Sequence, residues 1–287
     1  MKKMWIWMLC VCLMLSCCTA LSEAVEPETL IEVEYKKSDL ESSWEEADAV
    51  RIVLNKNRAQ ISGKGAAMVG NVLLIDDEGD YLLSGELNGR ILIDAGKKEK
   101  VRLILNGVTI NSTDSAAIFA LKADKATLTM AEGSVNSVTA GGNLLVEDDE
   151  ELDAAIYSKA DLVINGEGSL NVTSPKYHGI LSKDDLRIIS GSITVNAYDD
   201  GIRGRDALLV YGGEINVAAG NDGLKSNNDE DAEKGYISID GGKVTVSAGD
   251  DGIKAETSMQ IRGGEINVTQ SYEAVEAQYA IYESKLT

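Results

Sequence analysis

Cysteine is confined to the first eighteen residues, at Cys10, Cys12, Cys17 and Cys18. Histidine occurs once, at His178, phenylalanine once, at Phe119, and proline twice in 287 residues. These scarcities exclude whole classes of explanation. Beyond position 18 there can be no disulfide framework and no thiolate metal site, and a single His does not make a zinc site. No Ser-His-Asp set, phosphate-binding loop or cysteine nucleophile stands in a recognisable motif. Positive charge is short as well: 27 Lys and Arg face 47 Asp and Glu, for a net charge of −20. Such a surface repels nucleic acid and anionic lipid, serves solubility and suits a divalent cation.

The cysteine-bearing start reads as a secretory signal over residues 1–24. Lys2 and Lys3 precede an apolar run from Met4 to Ser16, and Ser22-Glu23-Ala24 offers small residues for cleavage. The run is too short for a comfortable membrane span. A lipid-attachment signal at Cys17/Cys18 is the alternative. Residues 25–47 are acidic and read as a linker or N-terminal cover, with Trp44 expected to dock on the end of the adjoining domain. Residues 48–287 read as that one domain, which breaks off in mid-strand at Leu286-Thr287. The expected location is outside the cell, secreted or held at its surface, as a monomer.

Glycine, by contrast, is plentiful: there are 28. It punctuates a repeated phrase, Asp199-Asp200-Gly201-Ile202-Arg203, Asn221-Asp222-Gly223-Leu224-Lys225 and Asp250-Asp251-Gly252-Ile253-Lys254. Degenerate copies begin at Tyr177 and Tyr272, each 22 residues from its neighbour. A period near 22 means stacked units. Each unit carries three short apolar runs. The first is marked by Ile118, Ile156, Ile180, Ile202, Leu224, Ile253 and Val275, the second by Leu162, Leu186, Leu208, Ile237 and Met259, and the third by Leu170, Ile193, Ile215, Val244 and Ile266. Glycine corners at Gly191, Gly213, Gly242 and Gly264 separate the second run from the third. Three strands per turn, stacked in parallel, predict an all-β fold: a right-handed single-stranded parallel β-helix of about 22 residues per coil. Side chains alternate along each strand, so Ile215 and Val217 face in while Asn216 faces out. An open sandwich would show hairpins every 8–12 residues and does not account for the phrase. Insertions at 141–152 and 227–235 are expected as acidic loops on the flank.

Stacking places equivalent residues about 4.8 Å apart. It lines up Asp199, Asn221 and Asp250 as one row, and Asp200, Asp222 and Asp251 as another. Like charges at that spacing repel by roughly a kcal/mol or more per pair near a surface. A hard cation with oxygen ligands offsets this, and Ca²⁺ tolerates the irregular geometry. These six residues are therefore the candidate metal ligands. The competing explanation is an ordinary Asp/Asn-Gly turn. Neither the EF-hand nor the nonapeptide calcium pattern is present. Arg203, Lys225 and Lys254 form a third row, either neutralising the Asp rows or pairing with the carboxylates of a polymer. Aromatic stacking is thinly supplied, with Tyr177, Tyr198, Tyr211, Tyr236 and Tyr272 as candidates. His178 takes the position equivalent to Asp200.

These phrases, together with Gly79-Asp80-Tyr81-Leu82-Leu83-Ser84-Gly85 and Val101-Arg102-Leu103-Ile104-Leu105-Asn106-Gly107-Val108, resemble the bacterial secreted β-helical carbohydrate-binding domain proteins. The resemblance runs from about Asp48 to the end. It implies a β-helix shaped like the pectate lyases, bound calcium at Asp199, Asp200, Asp222, Asp250 and Asp251, and binding of acidic plant polysaccharide and cellulose without cleavage. The last coil departs from the pattern, with Tyr272-Glu273-Ala274 where the motif has Asp and Gly. The expected function is calcium-assisted binding of a polygalacturonate-like polysaccharide. The alternatives are a calcium-dependent polysaccharide lyase and a non-catalytic structural adhesin.

Overall fold

The computed structural model describes residues 31–147 and 150–282. The expected signal, its lipid-attachment alternative, Asp148 and Asp149 of the acidic insertion and the break at Leu286-Thr287 lie outside the described residues.

From Ile118 onward the chain winds in coils of three strands. The first stack comprises Ile118–Lys122, Ala154–Ser158, His178–Ser182, Ile202–Gly204, Leu224–Ser226, Ile253–Ala255 and Val275–Glu276. All neighbours in it are parallel, in the register Ile118, Ile156, Ile180, Ile202, Leu224, Ile253, Val275. The second stack runs from Lys125–Met130 through Asp161–Gly166, Asp185–Ile188, Ala207–Val210, Tyr236–Ile239 and Ser258–Ile261 to Tyr279–Tyr282. The third runs from Val135–Thr139 to Glu265–Gln270, again parallel throughout. The fold is a parallel β-helix, as the period predicts. Columns such as Ile180, Ile202, Leu224 and Ile253 are fully buried. Each such side chain contributes about 1.5–3 kcal/mol that no single coil could realise alone. Gly191, Gly213, Gly242 and Gly264 hold φ between 87° and 97°, so they make the second corner by left-handed backbone that only glycine adopts cheaply.

The first coils differ. Lys100–Asn111 is one long strand that pairs with Lys125–Met130 by its first half and with Val135–Thr139 by its second. It welds the second and third stacks into one sheet. The N-terminal edge is closed by two antiparallel hairpins, Val50–Lys56 with Arg58–Ser62 and Ala66–Val69 with Val72–Ile75.

Residues 31–44 form a strap along the outside of the second stack. Ile31 exchanges two hydrogen bonds of 2.9 Å with the Gln260 amide. Tyr35 packs edge-on against Tyr211 with ring centroids 5.0 Å apart. Asp39, in the short helix Lys37–Leu40, pairs with Lys125 at 2.5 Å and lies 3.8 Å from Arg187. Asn165 donates to the carbonyls of Asp39 and Glu41. The strap explains why outward-facing Thr127, Val163, Arg187, Leu209, Ser238 and Gln260 are buried. Trp44 does not dock on the end of the stack. It lies on the flank, against Leu82, Ile104 and Ala131, because the strap it terminates runs along the axis.

Candidate functional site

The phrase that repeats occupies the corner leading from the third stack into the first. Its glycines have ordinary φ; they are needed for closeness. A Cβ on Gly223 would stand 2.3 Å from Val246 Cγ1 and 2.5 Å from the Gly252 carbonyl oxygen. Without it the coils approach and Gly201 N–H donates to the Asp222 carbonyl, Gly223 N–H to that of Asp251 and Gly252 N–H to that of Glu273, each at 2.8 Å.

The inner Asp row is thereby buried. Asp200, Asp222 and Asp251 are 1%, 1% and 2% exposed. Asp200 and Asp222 each accept a hydrogen bond from the next coil: Asp222 N–H donates to Asp200 Oδ1 at 3.2 Å, and Asp251 N–H to Asp222 Oδ1 at 3.0 Å. His178 begins the same ladder, its Nδ1 accepting the Asp200 N–H at 3.1 Å. The ring proton then sits on Nε2, 3.6 Å from the Asp153 carboxylate. Burial pushes the Asp153 carboxyl up, but His178 and Arg203 beside it more than reverse this and hold it below the usual range.

The outer row, Asp199, Asn221 and Asp250, lies closer to solvent. Asn221 Nδ2 donates to Asp200 Oδ1 at 2.7 Å, so one outer residue supports the inner row. Ligand atoms converge within 4.8 Å in three groups: His178 with Asp199 and Asp200; Asp222 with Asp250 and Asp251; and Asp251 with Glu273 and Glu276. The predicted carboxylates thus come together, but divided between adjoining groups. Glu273 and Glu276 join them in the coil where the motif is degenerate; counting 22 residues on from Asp251 and Lys254 finds both. Asp153 stands three residues before Ile156, as Asp199 stands before Ile202, so it holds the outer-row position of its coil directly after the insertion.

The basic row is folded back onto the acids. Lys225 Nζ lies 2.6 Å from Asp222 Oδ2 and 3.4 Å from Asp200 Oδ2. Lys254 lies 2.8 Å from Asp251 and 2.5 Å from Glu276. Arg203 reaches to 3.6 Å from Asp200 and donates through Nε to Asn227 at 2.9 Å. The contacts to Asp251 and Glu276 raise the Lys254 ammonium's pKa above its ordinary value. Burial pushes the Asp251 carboxyl up, and its contacts with Glu276 and Lys254 bring it below the usual range. Sharing with Asp251 pushes Glu276 up.

Neighbouring buried carboxylates about 4.8 Å apart repel by about 3 kcal/mol at an effective dielectric of about 20, so this internal neutralisation is required. Asp200 Oδ2 accepts no hydrogen bond among the described residues, but three nitrogens surround it: Lys225 Nζ and His178 Nδ1 at 3.4 Å and Arg203 Nη1 at 3.6 Å. The all-oxygen group Asp222, Asp250 and Asp251 suits a hard divalent cation. His178 is a poor ligand, because Nδ1 is occupied and Arg203 Nη1 stands 3.3 Å from Nε2.

The outward column of the first stack sets the surroundings. It reads Leu92, Phe119, Tyr157, Leu181, Arg203, Lys225, Lys254, Glu276. The 141–152 insertion folds over the apolar half, carrying Leu145 and Leu152 onto Phe119, Tyr157 and Leu181. Glu147 pairs with Arg90 at 2.6 Å and Tyr157 donates to Glu150 at 2.9 Å. The basic half stays open. The tyrosines divide too: Tyr177 donates to the Gly142 carbonyl, Tyr211 carries the strap and Tyr236 is half-buried, whereas Tyr198 and Tyr272 are 70% and 82% exposed.

The profile of the family described as carbohydrate-binding domain-containing protein matches residues 69–285, and the chain belongs to that family. A carbohydrate-binding domain-containing protein of Acetivibrio thermocellus is 40% identical over 126 residues, which is 43% of this chain and 44% of that protein. The chain therefore aligns with less than half the length of that relative. Among solved structures, a polysaccharide lyase-like protein from C. thermocellum, determined as a gadolinium derivative, superposes with a TM-score of 0.79 at 33% identity. The match covers 83% of this chain and 98% of that one.

Proposed function

We propose that this protein binds an acidic polysaccharide of the polygalacturonate type, outside the cell, with Ca²⁺ and the basic row acting together. The observation that carries the proposal is the buried Asp column with the all-oxygen group Asp222, Asp250 and Asp251, set beside Arg203, Lys225 and Lys254 on the open half of the first stack. Asp222, Asp250 and Asp251, with Asp199 and Asp200 in the neighbouring group, would hold the ion, which supplies positive charge between protein carboxylates and polymer carboxylates. The oxygens that would receive it now hold Lys225 and Lys254. The two ammonium groups are therefore available to a polymer only when the Asp charge is met in another way, which couples metal and glycan binding. A repeating face gains from a repeating ligand by multivalency.

The test is retention on polygalacturonate in calcium and in chelator. Retention is expected in calcium and loss in chelator; equal retention would remove the coupling. The likeness to a polysaccharide lyase-like protein supports a second reading, a calcium-dependent lyase with Arg203 or Lys225 as base. Both side chains are engaged by Asp carboxylates or Asn227, which favours binding over catalysis. Release of unsaturated uronide from polygalacturonate would decide for the lyase. Calcium raising the melting temperature while no glycan binds would decide for a structural adhesin.

A further inference from the structure

Beside the acidic corner, and outside the residues assigned to it, a groove of about 430 Å³ runs along the outside of the third stack. Its lining comes from four successive coils, from Ser174 and Pro175 through Tyr198 and Ala219 to Ser247. At the coil rise that is a length of about 14 Å. The floor is low for a steric reason. The positions that come after Tyr198 in register are Gly220 and Gly249, where a Cβ would stand 1.9 Å from the Tyr198 carbonyl oxygen and 2.1 Å from that of Gly220. No side chain can rise there. The Tyr198 ring therefore stands alone on the rim, 70% exposed, with no ring or side-chain hydrogen-bond partner among the described residues. It is the residue next to Asp199, so the groove is continuous with the acidic corner and parallel to its rows.

We infer that this groove is a sugar-ring subsite in which the apolar face of a pyranose packs on Tyr198 while its hydroxyls meet the polar rim at Asn196 and Ser247, without any metal. An isolated exposed ring beside a floor of alanine and glycine matches one flat, partly apolar ring with polar edges. A charged segment would find no partner there, since the lining holds no ionisable side chain other than Tyr198. This rests on the carbohydrate-binding reading and adds a metal-independent part to it.

The test is titration of the full chain with cellohexaose, a neutral oligosaccharide, in chelator, alongside polygalacturonate in calcium. Wild type is expected to bind cellohexaose. Tyr198→Ala is expected to bind it about tenfold more weakly, Tyr198→Phe within about twofold of wild type, and Ala218→Gln, which fills the floor, as weakly as Tyr198→Ala. Polygalacturonate bound by wild type with no cellohexaose bound, or cellohexaose bound equally by wild type and Tyr198→Ala, overturns the subsite alone. Neither glycan bound by wild type overturns the carbohydrate reading and the subsite with it.

Discussion

The outward column of the first stack is one row of residues with two characters. Its first half, Phe119, Tyr157 and Leu181, is apolar and covered by the 141–152 insertion. Its second half, Arg203, Lys225 and Lys254, is cationic, open and tied to buried aspartates. The backbone beneath is the same in both, parallel and in continuous register. The difference shows how a β-helix separates stability from function. Inward columns stay mainly apolar, with Asn136, Ser158, Ser182 and Ser226 as buried polar members, while outward columns change character wherever an insertion covers them or leaves them to solvent.

The covered half should give the largest effect. Phe119→Ala removes a fully buried ring that packs at 5.7 Å on Tyr157. It should cost about 3–5 kcal/mol in urea unfolding and leave polygalacturonate retention unchanged in calcium. A cost near zero would mean that the insertion does not seal that half.

On the open side, Asp222→Ala leaves the Asp251 N–H without its acceptor and Lys225 without its nearer carboxylate. The expected loss is about 1–3 kcal/mol, together with loss of any rise in melting temperature on adding calcium. A variant still stabilised by calcium as wild type is would move the ion elsewhere.

Acid should loosen both regions. Asp153, which directly follows the insertion, and Asp240, which Arg262 and Tyr35 contact, are both held below their ordinary value of 3.8 against the opposing effect of burial. A carboxyl with a depressed folded-state pKa contributes stability that is present above the unfolded value and is lost as pH falls through the folded one. Melting temperature should therefore drop below about pH 3.8, and Asp153→Asn should reduce that dependence. A flat profile through this range would show that these contacts add nothing.

The smallest effect is expected at the far end of the open half. Glu276→Lys continues the cationic row by one coil beyond Lys254. Polygalacturonate should bind a few-fold more tightly at low salt, with the gain disappearing at high salt. No change at low salt would mean that the polymer does not reach the last coil.

Much of this was legible in the repeat. The recurring positions from Ile118 to Val275 pair as the 22-residue period requires, and the Asp rows stack as it requires. Periodicity reports what neighbouring coils share, so it reads columns well. It says nothing of contacts between a coil and a distant segment. Residues 25–47 read as a linker or cover, but the course of the strap was invisible for that reason: Asp39 lies 86 residues from Lys125, and Ile31 lies 229 from Gln260. Asn227 escaped because it belongs to an insertion, outside the period, whereas Asp153 could have been found by counting three residues back from Ile156, as Asp199 is from Ile202. The Tyr198 groove depends on Gly220 and Gly249, which lie outside the glycine corners that the repeat marks.

The order of residues along the chain was enough to dictate the coil, its strand order and which residues share a column. Each is set by a local period of two within strands and about 22 between them. Folding in three dimensions was needed to bury the inner aspartates, to turn the lysines back onto them, and to lay the strap and insertion over some outward faces while leaving others open. Burial and charge pairing depend on which distant segments come to lie against a face, and a repeat of one coil carries no record of that.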